Sequence, residues 1–117
     1  MNTQTTAALP KTFLLQTDRG TQCILVEDVL RIEAISNYSK LYFTNGKTLV
    51  VARVLRRFDE CLKKNDFVRI HHKHLVNRRW IQSVQLANQP MLLLHNGEAV
   101  FASRRRKAIL KTLLLAE

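Results

Sequence analysis

Phe67-Val68-Arg69-Ile70-His71-His72-Lys73-His74-Leu75-Val76-Asn77-Arg78-Arg79-Trp80-Ile81 mixes apolar and β-branched residues with a dense polar centre. The apolar positions favour extended backbone, so residues 67 to 76 are predicted to form a strand. A strand carrying Arg69, His71, His72, Lys73 and His74 cannot be buried on both faces, because unpaired charges and imidazoles are costly to take out of water. One side or one end of it is therefore wet or paired. Asn77-Arg78-Arg79-Trp80 follows as a turn, which places an amide and two guanidinium groups on a loop. Groups of that kind meet base edges and phosphates. The same residues also describe a solvated basic edge strand closed by one capping Asn, and both readings stay open at this point.

Upstream, Val51, Val54, Leu55, Phe58 and Leu62 recur at spacings of three and four. That spacing predicts an amphipathic helix from Val51 to Lys64, stopped by Asn65. Before it come short strand-like runs. Lys11 to Gln16 and Gln22 to Val26 flank the turn Asp18-Arg19-Gly20, while Val29 to Ser36 and Lys40 to Thr44 form a second pair broken at Asn37-Tyr38. Asn45-Gly46 suits a tight type I′ turn leading into Thr48 to Val51. Downstream, Ile81 to Leu86, Met91 to His95 and Ala99 to Ala102 read as strands, punctuated by Asn88-Gln89-Pro90 and Asn96-Gly97. Ser103 suits the N-cap of a last helix reaching about Leu115. Its first turn, Arg104-Arg105-Arg106-Lys107, would set four cations at the positive end of the helix dipole. Either those cations face a polyanion or the helix begins later. Residues 1–10 are polar and end in Pro10, which reads as a flexible tail, and residues 11–117 read as one domain.

Nineteen Lys and Arg against nine Asp and Glu leave a net charge of +10. The excess is mostly C-terminal, with nine cations against two carboxylates in residues 67 to 117. A balance of this kind favours polyanionic partners, nucleic acid ahead of an acidic membrane surface. No apolar run approaches the roughly 20 residues that span a bilayer, and no signal peptide is apparent, so a soluble cytoplasmic protein is expected. Cys23 and Cys61 lie far apart with no paired-ligand motif, and are expected to be buried free thiols. On a continuous strand His72 and His74 would share a face with His71 on the other, and two imidazoles fall short of a zinc site, so no metal is expected. Scattered carboxylates and the lack of a phosphate loop or nucleophile elbow argue against an enzyme and against a cofactor.

Three polar segments remain: Ser36 to Lys40, the 67–81 stretch, and Ser103 to Lys107. With Val29-Leu30-Arg31-Ile32-Glu33-Ala34 ahead of them, and with Phe67-x-Arg69-Ile70-His71, Leu75-Val76-Asn77 and Ile81 between, the chain resembles the LytTR DNA-binding domain from about Lys11 onward. That family supplies the output module of many bacterial response regulators in two-component systems. The resemblance implies a mostly β fold of about ten short strands in small antiparallel sheets, with one or two supporting helices including a C-terminal one. It also implies that three loops face DNA, two in successive major grooves and one at the minor groove between them. Domains of the family bind direct-repeat half-sites as pairs of molecules and bend the duplex.

Carried over by position, the resemblance assigns base contact to Asn37, Ser39 and Lys40 in the first loop, His72 in the middle one and Arg105 in the last. Phosphate contact falls to Tyr38, Lys73, Arg78, Arg104, Arg106 and Lys107. His71 and Asn77 match motif positions, and either pin the strand end and turn or touch DNA. His72, Lys73 and His74 depart from the usual residues after the motif histidine (Arg, Lys or Asn, then Ser and an aromatic), which puts base preference there in doubt. Sequence-specific regulation of transcription is the expectation. The other reading is a regulator that titrates a related transcription factor or binds an acidic protein without reading DNA. About ten residues precede the first strand, so the chain is expected to be free-standing or an excised piece, with a receiver or sensor protein as a further partner.

Overall fold

The computed structural model describes residues 11–114. β1 (Thr12–Thr17) and β2 (Gly20–Leu25) form an antiparallel hairpin. β3 (Val29–Ile35), β4 (Tyr38–Phe43), β5 (Thr48–Val51), β6 (Phe67–His71) and β7 (His74–Asn77) build a five-stranded antiparallel sheet in the order β5-β4-β3-β7-β6. β8 (Ile81–Gln85), β9 (Met91–Leu94) and β10 (Ala99–Phe101) make a third small sheet. Helix α1 (Leu55–Leu62) joins β5 to β6, and α2 (Lys107–Leu114) follows β10. The expected mostly β fold, with small antiparallel sheets and a C-terminal helix, is what forms.

The five-stranded sheet lies at the centre because it is apolar on both faces. Successive strand residues point to opposite sides, so Leu75 and Val76, both fully buried, feed different cores. On one face Ile32, Leu41 and Leu75 meet Leu15 and Ile24 of the hairpin and Leu55, Phe58 and Leu62 of α1. On the other, Leu30, Ile70 and Val76 meet Leu92, Leu94 and Val100 of the third sheet and Leu110 of α2. Three layers result, held by two separate cores.

Several expectations are corrected. Residues 67 to 76 are not one strand but a hairpin, turning at His72-Lys73 with His71 opposite His74. Turning there leaves the most polar residues outside while Val68 pairs with Val76. The face assignment of the histidines therefore changes too. The helix begins at Leu55 rather than Val51, because Val51 is held extended opposite Ser39 in the sheet. Sheet pairing overrides a periodicity that the side chains alone satisfy. Asn45-Gly46 does not form a type I′ turn: of the described non-glycine residues only Ser36 and Asp66 hold positive φ. Gly46, at φ 89°, instead closes a longer loop in which the Gly46 N–H donates to the Phe43 carbonyl at 3.0 Å.

At the C-terminus, Arg104–Arg106 form a 3-10 turn and α2 begins only at Lys107. Ser103 has the extended backbone of a cap, yet its side chain makes no capping bond. The late start keeps three of the cations off the first turn of the α-helix. Cys23 and Cys61 are exposed rather than buried. Cys23 lies opposite Leu14 on the outward face of the hairpin, where Ile24 takes the inward position. The expected tail at residues 1–10 and the helix end at Leu115 lie outside the described residues.

Candidate nucleic-acid interface

Sheet register gathers the polar segments. β3 and β4 are joined by Ser36-Asn37, and β6 and β7 by His72-Lys73. Since β3 pairs with β7, with Glu33 opposite His74, both turns leave the same end of the central sheet. The Ala34 N–H donates to the Lys73 carbonyl at 2.9 Å and fastens one turn to the other. Ser36 holds φ 56°, a left-handed conformation that costs a non-glycine residue roughly 1–2 kcal/mol. The third segment runs beside β6: the Ser103 N–H donates to the Ile70 carbonyl at 2.9 Å, and Arg106 Nη1 to the Arg69 carbonyl at 3.2 Å. Between the middle and last segments lies an open groove of about 300 Å³ lined by His72, Ser103, Arg105, Arg106 and Ile109.

Most of the candidate residues face outward here. Asn37 and Tyr38 are exposed at the first turn, His72 and Lys73 at the second, and Arg104 and Arg105 at the third. No described residue bonds the Arg105 guanidinium, whereas Arg104 Nε donates to the Asn88 carbonyl at 3.0 Å. Lys40 is half-buried behind the first turn, its ammonium 5.1 Å from the centre of the Tyr42 ring. Lys107, half-buried, opens α2 next to the last segment.

Ser39 is a correction. It is fully buried, and its hydroxyl donates to the Arg53 carbonyl at 2.5 Å, so it braces the first turn from inside and presents nothing to a base. Arg78 is another. It follows β7 at the end of the sheet away from His72-Lys73 and faces Asp66, 4.0 Å away. Arg106, expected on phosphate, commits one arm of its guanidinium to the Arg69 carbonyl. Asn77 takes the structural role: it is 2% exposed, its amide donates to the Val29 carbonyl at 3.0 Å, and its oxygen accepts from the Arg79 N–H at 3.1 Å. His71 likewise serves its own turn, with Nδ1 accepting from the Lys73 N–H at 3.1 Å and its ring stacked on His72, centroids 4.5 Å apart.

Behind the turns lies a half-buried polar cluster. Arg31 pairs with Glu98 at 3.1 Å and lies 3.7 Å from the centre of the Tyr42 ring, whose hydroxyl donates to Glu33 at 2.8 Å. The Arg31 hydrogen bond holds the Glu98 carboxyl below the usual carboxylate range. Burial pushes His74 down to about 4, against the opposing pull of Glu33, and its buried Nδ1 has no hydrogen-bond partner. Burial also lowers His71, helped by His72, Lys73, Arg69 and Arg106. Both imidazoles are thus neutral near pH 7. Among the described residues no three His, Cys, Asp or Glu side chains are grouped to hold a metal ion, and no helix is long and apolar enough to cross a membrane.

Comparison with known proteins fits this basic, loop-built end. A family model for the LytTr DNA-binding domain matches residues 7–115. The chain belongs to the LytTR DNA-binding family. Among solved structures, a LytTr DNA-binding domain from Bacillus cereus superposes with a TM-score of 0.74 at 24% identity, over 88% of this chain and 95% of that one. At that identity the likeness speaks for the fold. No curated protein sequence matches the chain.

Two further residues of this LytTR domain stand beside the loops without having stood out in the sequence. Arg53, half-buried, lines a cleft with Tyr38 and Thr17, and its carbonyl holds Ser39. The apolar spacing of Val51, Val54 and Leu55 reads as helix and hides its position in the sequence. Ile109 lies 38% exposed on the groove that holds Arg105. It counts towards the apolar stripe of α2, and only the packed structure shows it on the rim of the groove.

Proposed function

We propose that this LytTR domain reads double-stranded DNA in a sequence-specific way as part of a transcription regulator. Asn37, His72 and Arg105 would contact bases, and Tyr38, Lys73, Arg104 and Lys107 the phosphates. The observation that carries the reading is the convergence of three polar segments on one end of the central sheet, with His72 and Arg105 on a shared groove. Arg105 offers a planar fork suited to the O6 and N7 edge of guanine, and His72 two ring nitrogens that can hydrogen-bond a base edge. Lys73 and Arg104 supply charge that positions the protein on any duplex without reading it.

Two copies bind direct-repeat half-sites spaced by about one helical turn, roughly 10 base pairs, and bend the duplex between them. In a bacterial response-regulator setting the domain works in the cytoplasm with a receiver or sensor protein as its second partner. Selection of bound duplexes from a random library tests the reading. A repeated motif is the expected result. Retention of duplexes without any enriched sequence would overturn it, leaving a binder of polyanions or of a partner protein.

A further inference from the structure

The residue that shapes the middle turn is not on the DNA-facing surface. Arg69 lies on β6 with its side chain 16% exposed and turned towards α1. Its guanidinium spreads over three acceptors: Nε donates to the His71 carbonyl at 2.9 Å, Nη2 to the His72 carbonyl at 2.6 Å, and Nη1 lies 3.5 Å from Asp59 Oδ2 of α1. The His71 and His72 carbonyls are therefore both engaged by one guanidinium, which fixes the backbone leading into the turn. The His72 side chain and Lys73 are left outside. The backbone of Arg69 meanwhile accepts the Arg106 guanidinium and so holds the last segment.

We infer that Arg69, anchored by Asp59, is a specificity-determining positioning residue, fixing the direction in which His72 meets DNA. The inference rests on the DNA-reading function proposed above. Three acceptors in different directions suit a planar fork, which an ammonium cannot imitate. Arg69→Lys keeps the charge and the carbonyl that holds Arg106, but loses the clamp on the turn. The defect is thus confined to the middle turn and spares Arg105. A residue needed only for folding would weaken every base position together.

Selection from a random duplex library, run on the whole chain and on Arg69→Lys, Asp59→Asn, His72→Ala and Arg105→Ala, reads this directly. The wild type defines the motif, and the His72 and Arg105 variants show which positions each loop reads. Arg69→Lys is expected to lose roughly tenfold discrimination at the His72 positions, while keeping the Arg105 positions and its binding to unrelated DNA. Asp59→Asn is expected to give a smaller loss at the same positions, with Arg69 itself still present. A motif unchanged in Arg69→Lys, or one relaxed equally at the Arg105 positions, overturns the inference, as does a His72→Ala motif identical to the wild type. A wild type that enriches no motif overturns the proposed function itself, which is a different failure.

Discussion

Arg105 and Lys73 carry the same charge on neighbouring loops, yet their side chains predict different losses. A guanidinium fork on a base edge supplies discrimination, so Arg105→Ala should cost about 1–3 kcal/mol of binding to the preferred site and relax one position. An ammonium on a phosphate contributes to every sequence alike, so Lys73→Ala should weaken specific and non-specific binding together. Titrating both variants against the selected duplex and a scrambled one separates the two patterns. Ser39 and Asn77 belong to another class, since their polar groups are spent inside the protein. Ser39→Ala leaves the part-buried Arg53 carbonyl without its donor, a loss of about 1 kcal/mol in chemical denaturation with base preference unchanged. Ser39 shows the limit of reading function by position. Alternation along β4 turns it inward, although its sequence neighbours Asn37 and Tyr38 are exposed.

The β6–β7 hairpin is the element where local pattern and tertiary context disagreed most. Ten residues of strand-forming composition conceal a two-residue turn, because no glycine or proline marks it. The turn is held by tertiary and side-chain bonds instead: Arg69 on its carbonyls, Ala34 on Lys73, and His71 on the Lys73 N–H. The hairpin also carries a pH dependence. His74 falls to about 4 when folded, from an ordinary value of 6.5, with Glu33 raising it and burial, His71, Arg31 and Lys73 lowering it. Between those values the unfolded chain takes up a proton that folded His74 refuses. Stability should therefore fall as pH drops from about 6.5 towards 4 and be unaffected by this group above 6.5. Melting temperatures at pH 7 and pH 5 for the wild type and for His74→Leu test this, and the variant should lose the part of the decline that His74 causes. Glu98, held below its ordinary 4.5, adds its own loss only at the acid end of that window, and the measurement at pH 5 stands above that value.

At the scale of the molecule, a net charge of +10 and a loop-built basic end predict steep salt dependence. The logarithm of the affinity should fall linearly with the logarithm of salt, by about 0.9 per phosphate neutralised, and Lys73→Ala should lower that slope by about one contact. Two cores on opposite faces of one sheet also make the layers separately vulnerable. Phe58→Ala strikes the face packed by α1 and should cost about 3–5 kcal/mol of unfolding free energy. The amino-acid sequence by itself determined the fold class, the alternation of strands, the family motif and the charge that selects a polyanion, because each depends on local pattern or composition. Tertiary structure alone decided which loops come together at one end of the sheet, and that the Ser39 and Asn77 side chains are buried. It also brought Arg69 against Asp59 and the carbonyls of His71 and His72. Those facts depend on strand register and on bonds between residues distant along the chain, and no local pattern encodes either. The 67–81 stretch shows both sides, since its residues named the family while only its partners across the sheet turned it into a hairpin with His72 and Lys73 outside.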